Sequence, residues 1–414
     1  MSDLVFPERF LWGASTSAHQ IEGDNLNSDW WAWEQAGRVA EKSGRAADSW
    51  NRWREDLDLA ASLGLSVFRI SLEWARVEPE PGRFDLDVLA HYAEVIRGIH
   101  ERGMLSMVVL WHFTHPAWFS AGGAPWLRTD APAAFARYAR RVAEALGEHV
   151  DLWATLNEAN TYVEHAFVAG DWPPGGRNEF VTAFRSYGGL AAAHCAARGA
   201  IRDVCGTTTP VGLTHVMPWA HPAAGSWGSG PRRRLYHWEA AHAFLGQVAG
   251  ELDWLGVQYY YDSPMRLGGV DDADGNPPRT DLGWRIYPEG LHGVLHEAWR
   301  RYRVPVIVTE NGLADAADAQ RGRFLLDHLA WMHRAIEEGV PVLGYLHWSL
   351  IDNFEWAFGF GPRFGLAEVD YNTFARTPRP SAALYAQIAR GNRVTSAMGD
   401  GLTYADGTPT LGPR

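Results

Sequence analysis

The chain has 414 residues, 46% of them hydrophobic and 21% charged, with a formal net charge of −12. That charge repels nucleic acid and anionic membrane surfaces, so neither is an expected partner, and no apolar run is long enough to cross a bilayer. Length alone suggests two or three domains, but α/β barrels of this size form single units.

The first ten residues lack the basic start and apolar stretch of a signal peptide, so a cytoplasmic location is expected. Apolar, β-branched stretches then predict strands at 10–16, 67–72, 105–112, 152–157, 211–216, 254–260, 304–310 and 342–349. Helical patterns fall between them at 53–63, 86–102, 132–147, 181–202, 290–301 and 322–338. Eight such βα units are what a closed (β/α)₈ barrel requires. The expected fold is therefore α/β, one (β/α)₈ TIM barrel over 1–414. Long loops rich in Gly, Pro and Trp at 24–48, 113–127, 171–179 and 218–234 should wall its C-terminal face. The polar, Gly-rich tail 392–414 is expected to be loose. Cys195 and Cys205 have neither a metal-ligand nor a disulfide spacing, and should be buried, reduced and inert. The run Arg232-Arg233-Arg234 reads as a solvated loop patch. The 21 tryptophans suit either a large core or faces that stack on sugars.

Two glutamates carry the chemistry. Thr155-Leu156-Asn157-Glu158 closes the fourth predicted strand and Val308-Thr309-Glu310-Asn311-Gly312 the seventh. Barrel enzymes place their reactive groups at such strand ends. Two carboxylates at one mouth can divide the work of breaking a glycosidic bond, one protonating the leaving oxygen while the other attacks or stabilises the sugar cation. Taken alone, either glutamate would be an ordinary solvated loop residue. Other polar and aromatic residues, however, fall at or near the same rim: Gln20, Arg69, His112, Asn157, Tyr260 and Trp348. His115, three positions after His112, invites a metal reading, but no third ligand stands at suitable spacing, and no metal or cofactor is expected.

At these positions the chain resembles the family 1 glycoside hydrolases, the retaining β-glucosidase and β-galactosidase family, over nearly its whole length. The matching segments run from Trp12 to Gly23, Phe68 to Ser71, Thr155 to Glu158, Val308 to Gly312 and Trp348 to Trp356. The resemblance implies that Glu310 is the nucleophile and Glu158 the general acid, later the base. It also implies that Arg69 and Tyr260 hold Glu310 ionised and oriented, and that Asn157 serves the sugar 2-hydroxyl. By the same resemblance Gln20, His112, Trp348, Glu355, Trp356 and Phe364 bind the sugar, with Trp348 as a stacking floor. The partner is then a small carbohydrate.

Four departures from the family pattern stand out: Ala159 for a proline, Phe113 for a tryptophan, Gln258 for an asparagine, and a short segment at 218–253. They bear on the outer pocket rather than the reaction. Glu355, where 6-phosphoglycosidases of the family carry serine, implies neutral glucosides, galactosides or fucosides. The expected activity is exo-acting, retaining β-glycoside hydrolysis. A transglycosidase on the same scaffold and a non-catalytic sugar-binding barrel are the alternatives.

Overall fold

A computed structural model describes residues 3–226, 230–404, 406–407 and 413. Eight parallel strands close into a barrel: β1 (Leu11–Ser15), β2 (Val67–Ser71), β3 (Leu105–Trp111), β4 (Leu152–Asn157), β5 (Val211–Val216), β6 (Leu255–Gln258), β7 (Val306–Asn311) and β8 (Val342–Trp348). They pair in chain order, and β8 returns to β1 to complete the ring. Every strand the sequence predicts is present, with ends shifted by at most two residues.

Eight principal helices accompany the strands: α1 (Ser49–Ser62), α2 (Leu86–Glu101), α3 (Ala131–Leu146), α4 (Phe180–Cys205), α5 (Gly230–His242), α6 (Glu289–Tyr302), α7 (Arg321–Glu337) and α8 (Pro380–Gly391). Local chemistry fixes the start of α2. Asp85 precedes this helix and accepts from the backbone N–H groups of Asp87 and Val88 at 3.0 and 3.1 Å, using donors that the helix cannot satisfy itself. Among the described residues no helix is long and apolar enough to cross a membrane.

The core has two compartments because each strand buries both faces. Inside the barrel Val67, Met107, Val109, Ala154, Trp254, Ile307 and Leu346 form a closed apolar plug. On the outer face Phe68, Val108, Trp153, Leu213, Val257, Val308 and Tyr345 join the larger core that packs against the helices.

Three expectations need correction. Part of the 392–414 tail is docked: Arg393–Val394 pairs antiparallel with Leu4–Val5, and the Tyr404 hydroxyl, buried, donates to Asp327 Oδ2 at 3.0 Å. Residues 405, 408–412 and 414 of that tail lie outside the described residues. The arginine run belongs to α5, which sequence periodicity misses because polar groups surround most of its circumference and only His237, Ala241 and His242 are buried. Cys195 is exposed on α4 and Cys205, its last residue, is half-buried; both are free, and partial burial pushes both thiols up.

Candidate active site

The rim is built by the strand ends, but simple alternation does not build it. Val67 lies in the apolar plug, so Arg69, two residues on, points into the barrel one layer higher. For β7 the same rule fails: Ile307 is in the plug and Val308 outside it, so strict alternation would send Glu310 outward with Val308. Pairing of β7 with both β6 and β8 slips after Val308, and this irregularity turns Glu310 into the barrel mouth. A similar slip between Ala154 and Asn157, in the pairing of β4 with β5, delivers Asn157 and Glu158. Irregularities of this kind re-aim a side chain at the cost of local pairing. Glu158 itself is left-handed, at φ 43° and ψ 60°, an uncommon conformation for a residue with a side chain.

Neighbouring side chains then fix the constellation. The guanidinium of Arg69 is fully buried and ion-pairs through Nη1 with Glu310 Oε1, while the Tyr260 hydroxyl donates to Glu310 Oε2 at 2.6 Å. Arg69 Nη2, Thr214 Oγ1 and Gln258 Nε2 all donate to Asn157 Oδ1, at 2.6, 2.7 and 2.9 Å. Three donors on one oxygen leave the Asn157 amide nitrogen, 3.4 Å from His112 Nε2, as the group that can serve a ligand. The Asn311 amide locks β7 to its neighbours, donating to the Tyr259 carbonyl at 2.6 Å and accepting from the Tyr345 hydroxyl at 2.9 Å. Gly312 follows because a Cβ there would collide with the Trp348 carbonyl.

A pocket of about 630 Å³, its open mouth included, sits above this layer. Gln20, His112, Asn157, Glu158, Tyr260, Glu310, Trp348, Glu355, Trp356 and Phe364 all line it, with Arg69 beneath. The structure thus brings together all the site residues singled out from the sequence. Gln20 is held by donating to Asn353 Oδ1 and the Phe354 carbonyl, both at 2.9 Å. The loop bearing Glu355 is pinned by buried Asp352, which accepts from Arg379 at 2.9 Å on each oxygen. The His115 ring is engaged by Asp29 Oδ2 at 2.9 Å. Sequence reasoning did not single out Thr161 and His165, on the helical turns after β4, Phe358, on a 3-10 turn, or Trp172, Leu282 and Trp284, on loops, which complete the wall, although the loop holding Trp172 was expected there. Loop residues carry no periodic signal. Gln258 is also revealed as a support for Asn157, so its departure from the family pattern preserves a donor.

Burial raises the pKa of both glutamates, but their surroundings differ. For Glu158, desolvation and the charge of Glu310 push it up to about 8. Desolvation also raises Glu310, opposed by Arg69, Tyr260 and Gln258; the shared proton therefore rests on Glu158. Glu355 is likewise pushed up to about 8 by burial, although the Trp348 indole N–H, 3.4 Å away, favours its charge. Glu355 thus keeps its proton to higher pH than an ordinary carboxyl, and both its acid and its carboxylate form are open to a ligand. Burial and Arg69 keep His112 neutral, so its imidazole can exchange hydrogen bonds without adding charge.

These shifts have a consequence for stability. A carboxyl whose folded pKa exceeds its ordinary 4.5 binds its proton more tightly folded than unfolded, so folding loses stability as pH rises from about 4.5 to about 8. Glu158→Gln removes that loss. The variant should match the wild type near pH 5 and exceed it near pH 8 by roughly 1–3 kcal/mol, below the full 1.36 kcal/mol per unit because the pocket admits water. Calorimetry at the two pH values measures this, and an unchanged difference would remove the assigned shift.

The Glycosyl hydrolase family 1 model matches residues 2–230 and 242–394. The chain belongs to this family. It is 30% identical over 492 residues to a β-galactosidase of Saccharolobus solfataricus, covering 99% of each chain. It is 30% identical over 448 residues to β-glucosidase A of Thermotoga maritima, covering 95% of this chain and 99% of that one. A solved β-glycosidase from Pyrococcus horikoshii superposes with a TM-score of 0.91 at 37% identity, over 100% of both chains. The family 1 protein described here is therefore a β-glycosidase on a (β/α)₈ barrel, and its reaction is the family's retaining double displacement through a covalent glycosyl-enzyme.

Proposed function

We propose that the whole chain acts as one domain that removes single sugars from the non-reducing ends of small neutral β-glycosides, namely glucosides, galactosides or fucosides. The observation that carries the assignment of roles is the unequal setting of the two glutamates: Glu310 is clamped by Arg69 and Tyr260, while Glu158 has no ion pair among the described residues and is pushed toward its protonated form by desolvation and the charge of Glu310. Glu310 attacks the anomeric carbon as the glycosidic oxygen takes the Glu158 proton and the aglycone leaves. Esterified Glu310 no longer bears charge, so Glu158 more readily remains ionised, accepts a proton from water and directs it at the same carbon; the Glu310 carboxylate is released. Asn157 donates to the 2-hydroxyl, in a contact that strengthens as the sugar approaches a cation. Gln20, His112, Glu355 and Trp356 take the outer hydroxyls, Trp348 the sugar face, and Phe364 the apolar wall beside Tyr260. The free cysteines suit the reducing cytoplasm, where we place the enzyme.

Proton NMR of the earliest product from an aryl β-glycoside should show the β-anomer, and comparison of kcat/KM across aryl glucosides, galactosides and fucosides will rank the sugars. An initial α-anomer would overturn the assignment of Glu310. Product analysis with excess alcohol reads how far an acceptor displaces water.

The substrate class rests on Glu355. As an acid it can both donate to and accept from neighbouring sugar hydroxyls, and as its carboxylate it repels a 6-phosphate. Glu355→Ser should lower kcat/KM for the neutral glycoside by about 2–4 kcal/mol of transition-state binding, the range for truncating a buried hydrogen-bonded charge partner. Wild-type preference for a 6-phosphoglycoside, or an unchanged ratio of the two substrates in the variant, would defeat the proposal.

A further inference from the structure

Away from the pocket, an external cleft runs between α6 and the end of α7, lined in part by Trp219, His292, His296 and Glu338. None of its residues lines the sugar pocket. His292 and His296 stand one helical turn apart on α6, their rings 4.5 Å between centroids, and so project side by side. Glu338, immediately after α7, extends a single oxygen, Oε2, between them: each Nε2 lies 2.8 Å from it. The other carboxylate oxygen is taken by Arg334 Nε at 3.0 Å, which fixes the direction of Oε2. All three donor atoms lie within 4.8 Å of one another.

We propose that His292, His296 and Glu338 form a binding site for a borderline divalent transition metal, of the zinc or nickel kind, which ties α6 to the end of α7 and takes no part in glycoside cleavage. Two imidazole nitrogens and one carboxylate oxygen are a donor set such ions prefer, and magnesium or calcium would demand more oxygens. A tetrahedral ion with ligands at about 2.0–2.2 Å needs donor atoms about 3.4 Å apart. The Nε2 atoms must therefore each draw back from Oε2 by roughly half an ångström, a small change for partly exposed side chains. The ion would use the Nε2 lone pairs, with the imidazole protons on Nδ1; His292 Nε2 is hydrogen-bonded to Oε2, whereas His296 Nε2 has only proximity to it and must turn slightly toward the ion. Arg300 and Arg303 also line the cleft and moderate the affinity.

A second cluster, His237, His242 and Glu297, is less suited. Glu297 Oε1 is shared by Arg301 at 2.8 Å and His242 at 3.1 Å, so an ion there would compete with a guanidinium for the same oxygen, whereas Arg334 occupies the Glu338 oxygen that the histidines leave free.

The test uses the full chain stripped of metal with a chelator, then titrated with zinc chloride by calorimetry and followed by thermal unfolding; cobalt(II) gives a visible-band readout of tetrahedral coordination. Wild type should take up one ion at this site and unfold at a higher temperature with zinc. His296→Ala and Glu338→Gln should each weaken binding roughly 100-fold or more, exceeding the 10–100-fold typical of losing only a supporting hydrogen bond. They should also lose the zinc-dependent rise in unfolding temperature while keeping the wild-type kcat/KM for an aryl β-glycoside. His237→Ala should still bind. The inference is overturned if zinc leaves wild-type unfolding unchanged, if His296→Ala binds as well as wild type, or if His237→Ala abolishes binding. None of these outcomes depends on the sugar assignment, which the anomer experiment tests separately.

Discussion

Replacing Glu310 by alanine is expected to abolish turnover, with a loss of about 10⁵-fold or more, because groups that act as a unit lose nearly all catalysis when one is removed. The structure adds a reason for the size of the effect. Arg69 has no solvent exposure, and the variant leaves its guanidinium buried without its carboxylate. That unpaired cation should also destabilise the fold, so circular dichroism must accompany the kinetics. Azide can occupy the vacated space, near the positive charge of Arg69, and attack the anomeric carbon in place of the carboxylate. Rescue should yield an α-glycosyl azide. A β-azide, or residual activity within tenfold of wild type in folded protein, would show that another group is the nucleophile.

Glu158→Ala should separate the two steps. Aryl glycosides with good leaving groups need no proton, so glycosylation should persist for them, whereas poor leaving groups should slow by about 10²–10⁴-fold, the usual contribution of general acid catalysis. Breakdown of the glycosyl-enzyme also loses its base, so the intermediate should accumulate and be visible by intact mass spectrometry. Azide here attacks the intermediate from the opposite face and should give the β-glycosyl azide. The contrast between the azide products is the decisive readout, since a general loss of folding cannot invert stereochemistry. Equal losses for good and poor leaving groups would remove Glu158 from the proton-transfer role.

Much of this protein is legible in its sequence. The barrel strands are continuous apolar segments buried on both faces, which gives them a signal independent of partners, as in Leu105-Ser106-Met107-Val108-Val109-Leu110-Trp111. The site residues were legible because strand ends are where barrels expose polar groups, and because Gln20, Arg69, His112, Asn157, Glu158, Tyr260, Glu310 and Trp348 fall there in order. Residues beyond the strand ends were legible only where the family resemblance reached them, as at Glu355, Trp356 and Phe364. Trp172 and Trp284 reach the pocket through irregular chain, where no period relates position to direction. The helix α5 and the docking of Tyr404 were equally hidden, since one lacks an apolar stripe and the other depends on Asp327, far away in sequence.

The sequence by itself determined the barrel and its family, and it singled out the two glutamates. Tertiary structure decided which way those glutamates face. Counting from Ile307 in the barrel plug, alternation sends Glu310 to the helix side; the slip in pairing after Val308 reverses it, and a similar slip after Ala154 serves Asn157 and Glu158. Such slips are set by how neighbouring strands fit around a closed ring, and one strand's sequence does not contain that fit. The same holds for proton placement. Both residues are glutamate, and only the buried Arg69 and Tyr260 on one side, with desolvation and the charge of Glu310 on the other, make one the anion and the other the acid.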